Sequence, residues 1–249
     1  MFSKDTRRGD KFKKVDRHFN GISKVKEVDE DICNENEETK KNSRKMNKQI
    51  ATQTCEILDT CKYVYNDNVV NITLEDSETF KPKDLEKIRS YFKNADTGID
   101  ENKNKTKFII VKTKTLDAIH NFYGTTKLGV LNFASARNPG GGFLKGSDAQ
   151  EESLARASGL YATIRHSPMY EANEKDNNRC IYQEYLIYSP NVPIFRDTND
   201  DLIKEPIYVD IISVPAVNEG EAIKKGVSKL VIDNTRYDRM ESFLGMRNL

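Results

Sequence analysis

The feature that most restricts this 249-residue chain is an apolar run, Leu128 to Phe133, that leads into three consecutive glycines, Gly140-Gly141-Gly142. A helical pattern follows from about Asp148 to Ile164. Strand, glycine-rich loop and helix in succession belong to mixed or parallel sheets covered by helices. Such sheets bind ligands where the carboxyl ends of strands meet loops. Adjacent glycines let bare backbone approach a ligand, and their N–H groups, with the N-terminus of the following helix, form an anion cradle. The standard nucleotide loops do not fit. Gly146 is followed by Ser147-Asp148 rather than by a lysine, and three residues separate Gly142 from Gly146. That breaks the Walker and Rossmann spacings, and no catalytic-loop signature accompanies a kinase-type loop.

The same alternation runs along most of the chain. Ile50, Thr54, Ile57, Leu58 and Cys61 recur at helical spacing, so a first amphipathic helix is expected, with Cys55 on its apolar side. Tyr63-Val64-Tyr65 and Val69 to Leu74 flank Asn66-Asp67-Asn68, which suits a hairpin. Asp84 to Lys93 reads as a short helix and Phe108-Ile109-Ile110-Val111 as a buried strand, with Thr115 capping a helix that runs through Tyr123. Tyr185 to Tyr188 and Tyr208 to Val214 supply further strands.

Charge separates an arm from this body. Lys4 to Lys26 is basic, Glu27 to Glu38 is acidic without one Lys or Arg, and Lys40 to Lys48 is basic again. Such blocks bury too little apolar surface to offset chain entropy, so residues 1–46 are expected to be a disordered charged arm and residues 47–249 the folded domain. Over the whole chain 40 Lys+Arg balance 39 Asp+Glu, which argues against general attraction to nucleic acid or an anionic membrane. No apolar stretch approaches the roughly eighteen residues of a membrane span, and no secretory leader is evident, so a cytoplasmic protein is expected. Cys33, Cys55, Cys61 and Cys180, and His18, His120 and His166, are scattered without metal-ligand spacing; no metal site and no cofactor are expected.

Gln150-Glu151-Glu152 stands at or just inside the helix that follows the glycines. Neighbouring helical residues point about 100° apart, so the two carboxylates cannot address the same atom. Acids in a first turn also suit the helix dipole, and either glutamate alone reads equally as an ordinary surface residue. Arg137 reads as a phosphate contact or a surface charge, and Phe143 and Leu144 as loop packing. Asn218, after a strand and Pro215, is a candidate for lining a ligand cleft; Tyr182, Tyr185 and Tyr188 read as strand residues.

Together, the triglycine and the carboxylate pair resemble the signature of poly(ADP-ribose) glycohydrolases, GGG followed after six to eight residues by QEE. Here seven residues separate Gly142 from Gln150, and the flanks NFASARNPGGG and QEESLARASGLY resemble the bacterial-type branch. Ile50 to Thr54, Tyr188 to Arg196 and Ile211 to Asn218 extend the likeness from about residue 45 to about 240. The resemblance implies a macrodomain-like α/β fold, a mixed sheet flanked by helices with an N-terminal helical extension. It also implies hydrolysis of ribose–ribose O-glycosidic bonds of poly(ADP-ribose) on modified proteins, releasing ADP-ribose without a metal. Carried over, Glu152 is the catalytic acid and base, Glu151 hydrogen-bonds ribose hydroxyls, and Gln150 orients the pair. Gly140, Gly141 and Gly142 meet the diphosphate through backbone N–H groups, Asn138 contacts a ribose, and Asn218 lines the adenosine end. One carboxylate serving two proton transfers needs a raised pKa, expected on Glu152 from the proximity of Glu151.

Members of the family continue past the position of Leu249 with a strand, a second glycine-rich loop bearing an aromatic residue, and a closing helix. The expectation is therefore a domain lacking that C-terminal segment. The alternative to hydrolysis is a non-hydrolytic or inactive ADP-ribose-binding macrodomain, and a further one is the same hydrolase acting on mono-ADP-ribosyl substrates.

Overall fold

The computed structural model describes residues 37–94, 109–124, 127–175 and 181–246. The arm over residues 1–36 and Phe108 lie outside them. Helix α1, Glu37–Thr60, buries Asn47, Ala51, Thr54, Ile57 and Leu58, a stripe at spacings of three and four. It begins ten residues before the expected boundary at Asn47, so residues 37–46, assigned to the arm by their charge, are helical. Cys61, expected on the apolar stripe, is exposed just past the helix end and takes a positive φ of 51°.

Strands β1 (Lys62–Tyr65) and β2 (Asn68–Asn71) form the expected hairpin. Its two turn residues, Asn66 and Asp67, have φ of 45° and 62°, the backbone that a tight right-twisted hairpin demands. After β3 (Glu78–Phe80) and α2 (Pro82–Asn94), the description resumes before α3, Thr115–Phe122. Thr115 is the first residue of that helix rather than its cap; Lys114 precedes it without a side-chain capping bond. The buried strand expected at Phe108 to Val111 is absent over the described residues. Ile109 to Val111 have no regular structure, and Ile110 is 93% exposed.

The main sheet has the order β3-β5-β6-β4 and is mixed. Strand β4, Gly129–Ala134, runs parallel to β6, Leu202–Pro215, with Gly129 opposite Asp210 and Ala134 opposite Pro215. Strand β5, Leu186–Arg196, pairs antiparallel with both β6 and β3. Between β4 and β5 the chain crosses through α4 (Gln150–Ala157), α5 (Leu160–Ile164) and α6 (Pro168–Lys175). The helix expected as one piece breaks at Ser158, whose extended backbone (φ −149°) bridges to Ile194, and at Gly159, whose N–H donates to the Pro193 carbonyl at 2.9 Å; a Cβ at Gly159 would meet Leu74 at 2.6 Å and Pro193 at 2.9 Å. After β6 come α7 (Glu219–Lys224) and α8 (Lys229–Met246).

The principal core lies between the sheet and the crossover helices. Leu154, Leu160, Ile164 and Met169 pack there on Ile187, Val192, Ile194 and Ile211, all fully buried. Because β4 and β6 are parallel neighbours, their carboxyl ends open side by side. The loop after β4 carries the glycines, and Ala216 to Asn218 follow β6.

Candidate active site

Those two loops and the start of α4 enclose a cleft of about 820 Å³. The loop after β4 is a chain of tight turns. The Ser135 hydroxyl accepts from the Asn138 N–H at 3.2 Å, the Gly141 N–H donates to the Asn138 carbonyl at 2.9 Å, and the Phe143 N–H to that of Gly140 at 3.2 Å. Phe143, in a single 3-10 turn, is fully buried against Ala51 and Ala155, its ring 4.8 Å from that of Tyr161. That ring anchors the loop, as its reading as packing expects. Leu144 is instead 45% exposed and borders the cleft.

Helix α4 is tied to the sheet by side chains rather than by a capping bond. The Gln150 amide donates to the Leu131 carbonyl at 2.7 Å and accepts the Phe133 N–H at 2.9 Å, bridging two residues of β4. Glu151, next in the helix, points inward and is 4% exposed. Its Oε2 accepts the Ser135 N–H at 2.7 Å, while its Oε1 has no hydrogen-bond partner among the described residues. Burial above all, with the neighbouring Glu152 carboxylate adding to it, pushes the Glu151 carboxyl up to about 7; the Ser135 N–H and the Asn132 side chain oppose the shift. The amide of buried Asn132 is donated to Ser213 Oγ at 3.0 Å.

Glu152 turns the other way. Its Oε1 accepts the Gly142 N–H at 2.9 Å, so the glycine loop fixes its carboxylate at the cleft surface. A side chain at Gly141 would push between the two carboxylates. The φ of Gly141 is +60°, and a Cβ there would lie 2.5 Å from Glu152 Oε1 and 3.1 Å from Glu151 Oε2. Both carboxylates therefore border one small volume, held by different backbone donors. The anion cradle expected of the glycines is largely spent inside the protein: the Gly141 N–H serves Asn138 and the Gly142 N–H serves Glu152.

The loop is braced from two further sides. The Arg44 Nε–H donates to the Lys145 carbonyl at 3.1 Å, and a Cβ on Gly146 would lie 2.1 Å from the Arg44 carbonyl oxygen, so α1 presses directly on the turn. Arg156, 4% exposed, donates to the Ser147 carbonyl (3.0 Å) and pairs with Asp148 (2.7 Å) and Asp200 (3.4 Å). It ties the segment leading into α4 to the β5–β6 turn.

Of the residues singled out in the sequence, Asn138, Gly141, Gly142, Gln150, Glu151, Glu152 and Asn218 border this cleft. Gly140 is set back from it, 2.8 Å from Phe143 by its would-be Cβ. Asn218 also caps α7 by accepting the Glu221 N–H at 3.2 Å. Tyr182, read as a strand residue, lies outside β5 and borders the cleft, as do Phe133, Ser135 and Tyr161. Among the described residues no group of three or more His, Cys, Asp or Glu is placed to hold a metal ion, and no helix is long and apolar enough to cross a membrane.

Residues 51–197, which carry both the glycine loop and the carboxylates, match the family described as microbial-type PARG, catalytic domain. The chain belongs to the microbial-type poly(ADP-ribose) glycohydrolases. Solved structures agree. The glycohydrolase of Thermomonospora curvata is 32% identical over 82% of this chain and 76% of its own, with a TM-score of 0.74. The same enzyme bound to the inhibitor ADP-HPD gives a TM-score of 0.71 at 32% identity, over 82% of this chain and 75% of its own. The Deinococcus radiodurans glycohydrolase in complex with ADP-ribose is 34% identical over 68% of this chain and 66% of its own, with a TM-score of 0.58. No curated protein matches the chain. The mixed sheet flanked by helices, with a helix preceding it, is thus the glycohydrolase fold expected from the signature.

Proposed function

We propose that this protein hydrolyses the ribose–ribose O-glycosidic bond of poly(ADP-ribose) and releases ADP-ribose, with Glu152 as the group that moves the protons. The observation that carries this reading is the seating of Glu152 Oε1 on the Gly142 N–H, at the surface of a cleft whose other carboxylate is buried beside it. Glycosidic cleavage needs a proton for the departing oxygen and a base for the incoming water, around an oxocarbenium-like transition state. Glu152 protonates the leaving ribose oxygen and then, as carboxylate, takes a proton from the attacking water. Glu151 holds the sugar: its Oε1 has no hydrogen-bond partner among the described residues, and its raised pKa lets it meet ribose hydroxyls as donor or acceptor near neutral pH. Gln150 acts one step back by fixing the start of α4 on β4. The glycine loop serves mainly to seat Glu152, and Asn138 and Asn218 contact the ligand from the two rims. The ligand's own diphosphate supplies negative charge that favours the developing cation.

Replacing Glu152→Gln tests the assignment. Release of ADP-ribose from labelled polymer is expected to fall by roughly 10²–10⁴-fold, the usual weight of a positioned acid–base group. Calorimetric affinity for ADP-ribose should stay within threefold. Full activity in that variant removes Glu152 from the mechanism.

A further inference from the structure

Tyr182 has a backbone that its side chain does not favour. Its φ is +63°, in the left-handed region where an aromatic residue stays only under restraint. The restraint is visible. Asn173 in α6, fully buried, accepts the Gln183 N–H on its Oδ1 at 2.7 Å and the Arg137 Nε–H on its carbonyl at 3.1 Å. The Arg137 guanidinium in turn stands over the Tyr182 ring, 5.5 Å from its centroid. Tyr182 also packs against the cluster of Val217, Ala222 and Ile232. One buried asparagine thus fixes both the backbone beside Tyr182 and the cation above it. The ring is held between the glycine-loop wall and the Ala216–Asn218 wall, at the border of the cleft.

A glycine would occupy this backbone without strain, so the turn itself does not call for a tyrosine. Strain of this kind persists where the side chain is needed in place. We infer that Tyr182 is a substrate-contacting residue that sets the spacing of the two cleft walls around the bound ADP-ribose and determines affinity rather than the rate of bond cleavage. The inference rests on the ADP-ribose reading of the cleft.

The test compares Tyr182→Gly, Tyr182→Ala and Tyr182→Phe with the wild type, using ADP-ribose by calorimetry and labelled polymer for turnover. For the glycine and alanine variants, Kd and KM are expected to rise at least tenfold with kcat within threefold of wild type. Tyr182→Phe keeps Kd within threefold. Tyr182→Gly, relieved of strain, should melt no lower than Tyr182→Ala. An unchanged Kd in the glycine variant overturns the inference, as does a fall in kcat that matches the rise in KM, which would mark a merely structural role. If the wild type binds ADP-ribose but does not turn over polymer, the hydrolase reading fails while the Tyr182 comparison by calorimetry still decides. A wild type that does not bind ADP-ribose overturns both.

Discussion

Replacing Gly141→Ala separates what the glycine loop does for catalysis from what it does for folding. The added Cβ would lie 2.5 Å from Glu152 Oε1, where ordinary contact begins at 3.4 Å, so the carboxylate must retreat by roughly 0.9 Å. That retreat opposes the 2.9 Å bond from the Gly142 N–H that holds it. A misplacement of about 1 Å at a reacting group costs on the order of 10²-fold in rate, and kcat on polymer is expected to fall by that factor. The clashing atoms belong to the end of a flexible side chain, so the core need not move. The stability cost is then that of the backbone alone, about 1–2 kcal/mol for an L-residue at a φ of +60°. Gly226→Ala is the control, since its φ is +78° and nothing lies within 4 Å of its would-be Cβ. It should lose a similar amount of stability in urea denaturation and no activity. A Gly141→Ala enzyme with kcat within threefold of wild type, or a Gly226→Ala enzyme equally impaired, would refute the argument.

Two other perturbations follow from the charges around the site. Burial lifts the Glu151 pKa from its ordinary 4.5 to about 7, so the folded protein holds this proton longer than the unfolded chain does. Stability contributed by the group is therefore lost as pH rises from about 4.5 through 7, by on the order of 2–3 kcal/mol. Glu151→Gln should abolish that part of the slope in urea midpoints measured between pH 5 and pH 8; an identical slope in both proteins would contradict it. Arg156→Met removes a buried guanidinium from the Ser147 carbonyl and from two aspartates. A cost of about 2–3 kcal/mol is expected, towards the low side for a broken buried pair because Asp148 is 62% exposed and water can take its charge. Arg156→Lys should recover part of it, and a loss below about 0.5 kcal/mol in the methionine variant would show that the brace is idle.

The fold class and the carboxylate–glycine pairing were legible in the sequence because they are local. Glu151 and Glu152 are neighbours on a helix whose start is marked by the loop before it, and seven residues after the triglycine are enough to fold the helix back onto it. What each carboxylate meets was not legible. Which of the two faces the sheet depends on how Gln150 docks on β4, a contact between residues 17 and 19 positions apart. Tyr182 was read by propensity as a strand residue, yet its setting depends on Asn173 and Arg137, which no local pattern connects to it. The strand expected at Ile109 to Val111 fails for the converse reason. A β-branched run favours a strand only where a neighbouring strand accepts it, and in the described structure Ile110 stands in solvent.

The grip of α1 on the glycine loop has a consequence for how the chain acquires activity. Arg44 to Lys145, Asn47 to Gly146 and Thr54 to Arg156 join positions 101, 99 and 102 residues apart. During synthesis the helix emerges first and must wait for about a hundred more residues before the surface that receives it exists. Closing so long a loop is entropically slow relative to local helix formation. The docking of α1 on the loop that carries Gly142 is thus expected late in folding, and, on the role proposed for Glu152, the appearance of turnover during refolding becomes a clock for that docking.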